Sequence, residues 1–250
     1  MPPAWIGFFS FLLGLCTGSF LNVCIHRLPR GMSLVAPPSH CPACGARLGP
    51  LDLIPVLSYL FLRGRCRHCR GVISPRYPLV ELLTGFGFLL ITREYGFHLY
   101  TAGLLVLFSV LVVASFIDLD HRIIPDRLTL FALAAGVLLA ALRGADFFRD
   151  GLLGAALGGG ILLLVALLSR GGMGGGDVKL AFALGWYLGW QEILVALFLA
   201  FLLGAVVGGL WALGTGRTLK TAIPFGPFLS SGAMLAALAG DKLISWYLNL

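Results

Sequence analysis

Four of the eleven acidic residues fall in two short stretches that could do chemistry. Asp118, Asp120 and Asp126 lie in the first stretch, and Asp177 follows a run of glycines that ends at position 176. Two carboxyl groups held close together cannot both ionise easily, so they share a proton. One can then activate a water molecule while the other protonates a leaving group. Asp118 and Asp177 are therefore the predicted catalytic pair.

The other two aspartates of the first stretch have simpler predicted roles. Asp126 follows Pro125 at a predicted helix start, where a carboxylate stabilises the helix end. Asp120, two residues after Asp118, points elsewhere on any helix and is expected to face water. Helix capping is also the competing interpretation for Asp118 and Asp177, since aspartates at helix boundaries often do nothing more.

A second candidate site consists of four cysteines in two closely spaced pairs. Cys41 and Cys44 form the first pair, Cys66 and Cys69 form the second, and 21 residues separate the pairs. Two such hooks are typical of a tetrahedral zinc site with four thiolate ligands. Disulfides would need an oxidising compartment, whereas the basic residues discussed below predict that this loop lies in the reducing cytoplasm. A thioredoxin-like redox pair would need a βαβ context, which a loop rich in proline, glycine and arginine does not offer. The pattern therefore favours zinc or another thiophilic metal.

The elements that must position these residues are membrane helices. The chain has 250 residues, of which 58% are hydrophobic and 12% are charged, and its mean hydropathy is +0.94. A soluble domain would carry about a quarter of its residues as charges, and an apolar helix of about 20 residues crosses a bilayer. The predicted fold is an all-α polytopic membrane protein with eight transmembrane segments: 5–25, 79–92, 99–117, 128–142, 152–169, 180–188, 193–213 and 223–239.

The basic residues predict the orientation of these segments. If the first residues lie outside, 14 of the 18 basic residues fall in inward-facing loops: Arg27, Arg30, Arg47, Arg63, Arg65, Arg67, Arg70, Arg76, Arg122, Arg127, Arg170, Lys179, Arg217 and Lys220. The positive-inside rule then places both termini outside and the loop 26–77 in the cytoplasm. The net charge of +7 needs no nucleic-acid partner, and membrane lipid is the expected surrounding.

Five motifs in order resemble the bacterial type IV prepilin peptidase family. The segment 18–29 is similar to the family's first-helix signature, the two cysteine pairs to its cytoplasmic loop, and the segment 74–85 to its entry into the second helix. Asp118 and Asp177 occupy the places of the family's two catalytic aspartates. The resemblance covers essentially the whole chain.

The resemblance implies a bifunctional enzyme of the bacterial inner membrane. Such an aspartic endopeptidase cuts the leader from type IV prepilins and pseudopilins at the cytoplasmic face, after a glycine and usually before a phenylalanine. It then methylates the new N-terminus with S-adenosylmethionine. The implied organisation is a first transmembrane helix over 1–25, a cytoplasmic zinc-binding loop over 26–77 and a peptidase bundle over 78–250.

Two other classes of function stay open from the residues alone. A small proton- or ion-coupled transporter would use membrane carboxylates as a relay, and an inactive zinc-bearing scaffold would serve a secretion machine. Glu81, isolated in an apolar segment, is a candidate for contacting a substrate amine or a basic side chain, with a helix-start acidic residue as the alternative. Cleavage of a prepilin by the solubilised protein would separate these classes.

Overall fold

The computed structural model describes residues 4–169, 172–215 and 224–249, and within these ranges it is helical, without strands. Two short 3₁₀ turns, Leu28–Arg30 and Pro50–Leu53, lie between the first helices. The helices are α1 (Ala4–Arg27), α2 (Leu57–Phe61), α3 (Arg76–Tyr95), α4 (Leu99–His121), α5 (Asp126–Arg143), α6 (Ala145–Leu168), α7 (Gly175–Thr215) and α8 (Gly226–Leu248).

The prediction of an all-helical membrane protein is confirmed at this coarse level. Within the described residues, four helices are long and apolar enough to cross a membrane: Trp5–Arg30, Leu99–His121, Ala145–Leu168 and Gly175–Gly214. The last of these contains both predicted segments 180–188 and 193–213. The predicted start at 223, and the inward-loop residues Arg170, Arg217 and Lys220, lie outside the described residues.

The chain divides into two compact units, Met1–Val113 and Ala114–Leu250. The first unit contains α1, α3, most of α4 and the loop with the four cysteines. The second contains the end of α4 and the helices α5 to α8, and it holds both predicted catalytic aspartates.

In the first unit, α1 packs against α3 along residues spaced by four. A Cβ atom at Gly14 would lie 2.7 Å from the Thr84 carbonyl oxygen, and one at Gly18 would lie 2.7 Å from the Glu81 Cα. Small residues at this spacing let two backbones approach closely in a membrane. Ser10 extends the contact toward one end of the pair, where its Oγ lies 2.6 Å from the Thr92 Oγ1.

The same contact continues to the cytoplasmic ends predicted for α1 and α3. The Asn22 side-chain amide donates to the Tyr77 carbonyl oxygen at 3.1 Å. Buried polar groups need such partners where water is absent. The loop that carries the cysteines therefore leaves and re-enters a tightly joined helix pair.

In the second unit, α7 bends at Gly189, whose backbone has φ 76° and ψ −177°. This conformation is essentially restricted to glycine. The Asp150 side chain occupies the space a Cβ would need there, and its Oδ1 accepts the Trp190 N–H at 3.2 Å. The bend explains why the sequence shows two apolar segments where the structure has one interrupted helix.

Glycines also bring α6 against α7. A Cβ atom at Gly154 would lie 2.6 Å from the Gly185 carbonyl oxygen, and one at Gly158 would lie 2.8 Å from that of Ala181. Such close packing replaces the hydrophobic effect as the main attraction between helices in lipid. It fixes the first half of α7, which begins two residues before Asp177.

Candidate functional site

Asp118 lies one turn before the end of α4 and is only 6% exposed. Its Oδ2 accepts a hydrogen bond of 2.8 Å from the backbone N–H of Gly226, the first residue of α8. The first N–H groups of a helix have no partner within the helix and attract negative charge. The start of α8 therefore holds the Asp118 carboxyl group in one orientation.

Asp177 lies in the first turn of α7 and is 7% exposed. Its backbone N–H donates to the Gly174 carbonyl oxygen at 3.1 Å, which closes the turn that begins the helix. Its Oδ1 is buried and accepts no hydrogen bond from the described residues. Buried carboxylate oxygens normally have a donor, so this atom is available to a water molecule or a substrate group.

The structure brings these two aspartates together although 59 positions separate them. Their carboxyl groups interact electrostatically. The connection between α4 and α5 helps to join them, because Ile124 packs against Gly176, where an added Cβ would lie 3.0 Å from the Ile124 Cβ. Two buried carboxyl groups close enough to interact titrate as a pair and can perform general acid–base chemistry.

The neighbouring aspartates differ from this pair in exposure. Asp120 is exposed at the end of α4. Asp126 is the first residue of α5, and its Oδ1 lies 2.7 Å from the Lys179 Nζ in a surface ion pair. Exposed pairs of this kind contribute about 0–1 kcal/mol to stability. Both observations agree with the surface and helix-start roles expected from the sequence.

The loop between α1 and α3 brings the four cysteine sulfurs of the two pairs into one cluster. All four Sγ atoms, those of Cys41, Cys44, Cys66 and Cys69, lie within 4.8 Å of one another. The Cys41 and Cys69 sulfurs are 3.9 Å apart. A tetrahedral zinc ion with bonds of about 2.3 Å separates its sulfur ligands by roughly 3.8 Å. The cluster therefore has the size and the donors of a four-thiolate metal site.

The two cysteine pairs sit in matching turns, which we call knuckle 1 (residues 39–48) and knuckle 2 (residues 64–73). In knuckle 1 the Cys41 N–H donates to the Ala46 carbonyl oxygen at 2.9 Å, and in knuckle 2 the Cys66 N–H donates to that of Gly71 at 2.8 Å. An isolated β-bridge closes each turn. Each knuckle contributes one buried and one exposed cysteine.

In each knuckle, backbone N–H groups favour the thiolate form of the first cysteine, which is Cys41 in knuckle 1 and Cys66 in knuckle 2. Those of Cys44 and Ala43 lower the pKa of Cys41 to about 7. The pKa of Cys66 is also lowered, chiefly by the N–H groups at the corresponding positions of knuckle 2. Depressed thiol pKa values are typical of reactive or metal-binding cysteines. None of the histidines in the described residues joins the cluster.

Glu81 lies on α3, is 8% exposed and faces the cysteine loop. Its Oε2 accepts the backbone N–H of Val56 at 2.7 Å. Val56 has φ 60° and ψ −50°, a strained conformation for a β-branched residue. The structure therefore gives Glu81 a partner in the loop, an arrangement for which the sequence offered no signal.

Gly226 is the site residue that the sequence did not reveal. It lies 108 positions after Asp118 and contributes only a backbone N–H. A backbone N–H donor is present in every residue except proline, so the donor itself could not be recognised from the sequence. The available signal was the absence of a side chain, because a Cβ at Gly226 would lie 2.8 Å from the Asp118 Oδ2.

Comparison with known proteins covers both units. The profile of the bacterial peptidase A24 N-terminal domain matches residues 12–95, and that of the type IV leader peptidase family matches residues 105–209. The first match contains the four cysteines and Glu81, and the second contains Asp118 and Asp177. No solved structure matches the chain.

Several curated relatives are each called prepilin leader peptidase/N-methyltransferase. The Bacillus subtilis protein is 38% identical, over 96% of this chain and 97% of its own length. The Aeromonas salmonicida protein is 39% identical, over 98% of this chain and 95% of its own length. The Myxococcus xanthus protein is 47% identical over 84% of this chain, which spans 64% of that relative. The chain therefore belongs to the type IV leader peptidase family.

Proposed function

We propose that this chain cleaves the leader peptide from type IV prepilins and pseudopilins, with Asp118 and Asp177 as its catalytic pair. The observation that carries the proposal is the burial of these two carboxyl groups, from distant parts of the sequence, as one interacting pair. The names of the relatives support a prepilin substrate. By family resemblance the cut follows a glycine and usually precedes a phenylalanine.

In the proposed mechanism, one water molecule lies between the two carboxyl groups. The ionised carboxylate takes a proton from the water, whose oxygen attacks the peptide carbonyl carbon. The other, protonated carboxyl group gives its proton to the departing amine as the carbon–nitrogen bond breaks. The Gly226 N–H keeps Asp118 in place throughout, and the unpaired Oδ1 of Asp177 is available to the water.

The test is prepilin cleavage by purified Asp118→Asn and Asp177→Asn variants in detergent. Each substitution keeps the size of the side chain and removes its acid–base function, so we expect cleavage to fall by roughly 10²–10⁴-fold or more. Asp120→Asn is the matched control, since Asp120 is exposed two residues from Asp118, and it should retain most activity. Cleavage retained by either catalytic variant would remove that aspartate from the mechanism.

We propose that the cluster of Cys41, Cys44, Cys66 and Cys69 binds one zinc ion. The four-sulfur donor set and its spacing fit tetrahedral Zn²⁺, and four protein ligands leave no open position for a substrate. The role of the metal is structural, because it joins knuckle 1 to knuckle 2 in a loop with few other elements. The ion takes no part in peptide cleavage.

We also propose that the chain methylates the new N-terminus, as the relatives' names indicate for them. The amine of the cleaved pilin would attack the methyl group of S-adenosylmethionine, lose a proton and release S-adenosylhomocysteine. The cleavage assay tests this step directly, because the mass of the product with and without the methyl donor should differ by one methylene unit.

The proposed location is the bacterial inner membrane, with both termini outside and both sites at the cytoplasmic face. Eight crossings result if α1, α3, α4, α5, α6 and α8 cross once and α7 crosses twice through its bend at Gly189. The proposed domains are the first helix over 1–25, the zinc-binding loop over 26–77 and the peptidase bundle over 78–250. The positive-inside pattern supports this arrangement.

A further inference from the structure

The short helix α2 presents an apolar face that the described residues of the first unit leave exposed. Leu57, Leu60 and Phe61 follow the i, i+3, i+4 spacing that places side chains on one face of a helix. They are 51%, 62% and 84% exposed. We call these three residues the α2 surface. Leu53 and Ile54, just before the helix, are also exposed apolar residues.

The start of α2 lies beside the helix pair of α1 and α3 rather than beyond its end. The Val56 N–H, which precedes α2, is bonded to the Glu81 carboxylate at 2.7 Å. Glu81 lies on α3 level with Gly18 of α1, where an added Cβ would be 2.7 Å from the Glu81 Cα. Gly18 falls inside the apolar span Trp5–Arg30 and lies about 13 Å from the end of α1 at Arg27.

The Val56 backbone shows that this position is held in place. Its strained φ of 60° persists because the buried Glu81 carboxylate accepts the Val56 N–H and the Pro55 carbonyl oxygen accepts the Leu57 N–H. Because Glu81 is only 8% exposed and lies on α3 where α3 packs against the apolar α1, α2 is fixed to this helix pair at the level of Gly18.

Exposed arginines follow the α2 surface directly. Arg63, Arg65, Arg67 and Arg70 are all exposed, and Asp52, which pairs with Arg67 at 2.7 Å, is the one acidic residue of the loop 26–77. An apolar face bordered by basic residues is typical of a helix that lies in a membrane interface with anionic lipid.

We propose that α2 is an interfacial helix: the α2 surface enters the acyl-chain region of the bilayer, and Arg63 and Arg65 bind anionic lipid headgroups. The occupant of the exposed face is thus the cytoplasmic leaflet of the surrounding membrane. The zinc-binding loop is then held against the bilayer at its middle as well as at its two ends. The inference does not depend on the peptidase chemistry.

The direct test is photo-crosslinking in the full chain, reconstituted in vesicles of phosphatidylethanolamine and phosphatidylglycerol. A benzophenone amino acid replaces Phe61, and the matched control places it at Val72, which lies in knuckle 2 and is also 84% exposed. We expect lipid adducts at position 61 in several-fold higher yield than at position 72. Equal yields, or adducts at position 61 with protein instead of lipid, would overturn the proposal.

A pair of substitutions gives a second, independent readout. Leu60→Ser with Phe61→Ser changes only exposed side chains, so the loop should keep its zinc content. In vesicles, amide hydrogen exchange over residues 57–61 should rise about tenfold, because the segment no longer inserts. Unchanged exchange at unchanged zinc content would contradict an inserted helix.

The headgroup contact is tested in the same vesicles. Arg63→Gln with Arg65→Gln should lower the share of phosphatidylglycerol among the lipid adducts formed at position 61 by at least half, while the total yield stays high. An unchanged share would show that the arginines do not bind the anionic headgroups.

Discussion

The hydrogen bond from Gly226 to Asp118 joins a backbone N–H to one of the two proposed catalytic carboxyl groups. At the scale of single residues, this contact predicts that cleavage depends on the absence of a side chain at position 226. A Cβ there would lie 2.8 Å from the Asp118 Oδ2. It would also lie 3.1 Å from the Asp118 Cβ, so the carboxyl group would rotate away and the start of α8 would shift by a few tenths of an ångström.

Gly226→Ala should therefore lower cleavage without unfolding the protein. We expect about a 10²-fold loss of activity, since a displacement of about 1 Å in a catalytic group has effects of this size. Gly209→Ala is the matched control, because a Cβ at Gly209 meets nothing within 4 Å. Normal activity in Gly226→Ala would show that this hydrogen bond does not position Asp118 for catalysis.

The two knuckles differ at one backbone position that has a positive φ in both. Gly45 has φ 72° in knuckle 1, and Arg70 has φ 60° at the equivalent place in knuckle 2. The left-handed conformation costs a non-glycine residue about 1–2 kcal/mol. Knuckle 2 is therefore the more strained half of the proposed zinc site.

Arg70→Gly should relieve that strain and strengthen zinc binding. Because metal binding and folding of such a loop are coupled, a gain of about 1 kcal/mol corresponds to roughly fivefold in zinc affinity. Gly45→Ala is the reciprocal variant and should weaken zinc binding by a similar factor. Competition with a chelator, starting from protein with one zinc per chain, measures the zinc affinity of both variants. A zinc affinity of Arg70→Gly equal to that of the unchanged protein would rule out the strain.

Site residues could be predicted from the sequence where the residues that act together lie within a few positions of one another. The cysteine pairs are recognisable because each hook lies within four residues, and their clustering in the structure agrees with that reading. The Val56–Glu81 contact was not predictable, because it joins a backbone N–H to a carboxylate 25 positions away. Contacts made by the backbone depend on the fold and not on residue type.

At the scale of helices, the contact between α1 and α3 depends on glycines with no room for a side chain. A Cβ at Gly18 would come within 2.7 Å of a backbone atom of α3, which cannot move as a side chain can. A larger residue must force the two helices apart. Overpacking of this kind costs about 1–3 kcal/mol.

Gly18→Leu should accordingly destabilise the first unit by about 1–3 kcal/mol. Cys16→Leu, on the exposed side of the same helix, is the matched control and should be close to neutral. Unfolding of the two variants in the same detergent gives the comparison. Equal stability would mean that α1 and α3 pack less closely than the structure indicates.

Helix boundaries were predictable to within a few residues where charges border long apolar runs. The predicted segment 99–117 corresponds to α4 (Leu99–His121), and the predicted segment 128–142 corresponds to α5 (Asp126–Arg143). The short α2 was not predicted, because a helix of five residues is too short to give the long apolar run that indicates a membrane span. The two segments on either side of Gly189 were predicted separately, since hydropathy cannot distinguish a bend from a loop.

At the scale of the whole molecule, the loop 26–77 holds eight of the 18 basic residues and a single acidic one. The loop alone therefore accounts for the net charge of +7. This concentration of positive charge predicts the orientation of the chain in the membrane. In the proposed orientation, the loop with the four cysteines and the pair of Asp118 and Asp177 both lie on the cytoplasmic side.

Cysteine labelling in intact cells tests this orientation. Phe97→Cys, 83% exposed between α3 and α4, should react with a membrane-impermeant maleimide added from outside. Val35→Cys, 90% exposed in the loop 26–77, should react only after the membrane is permeabilised. The reverse pattern would invert the proposed topology.

The hydrogen bond from Gly226 to Asp118 also has a consequence for the synthesis of the chain. Both acids emerge from the ribosome at least 49 residues before Gly226. A nascent chain therefore contains Asp118 and Asp177 before Gly226, whose N–H orients the Asp118 carboxyl group, has been translated. If Asp118 needs this hydrogen bond for catalysis, as we propose, a chain that still lacks α8 is not expected to cleave peptides.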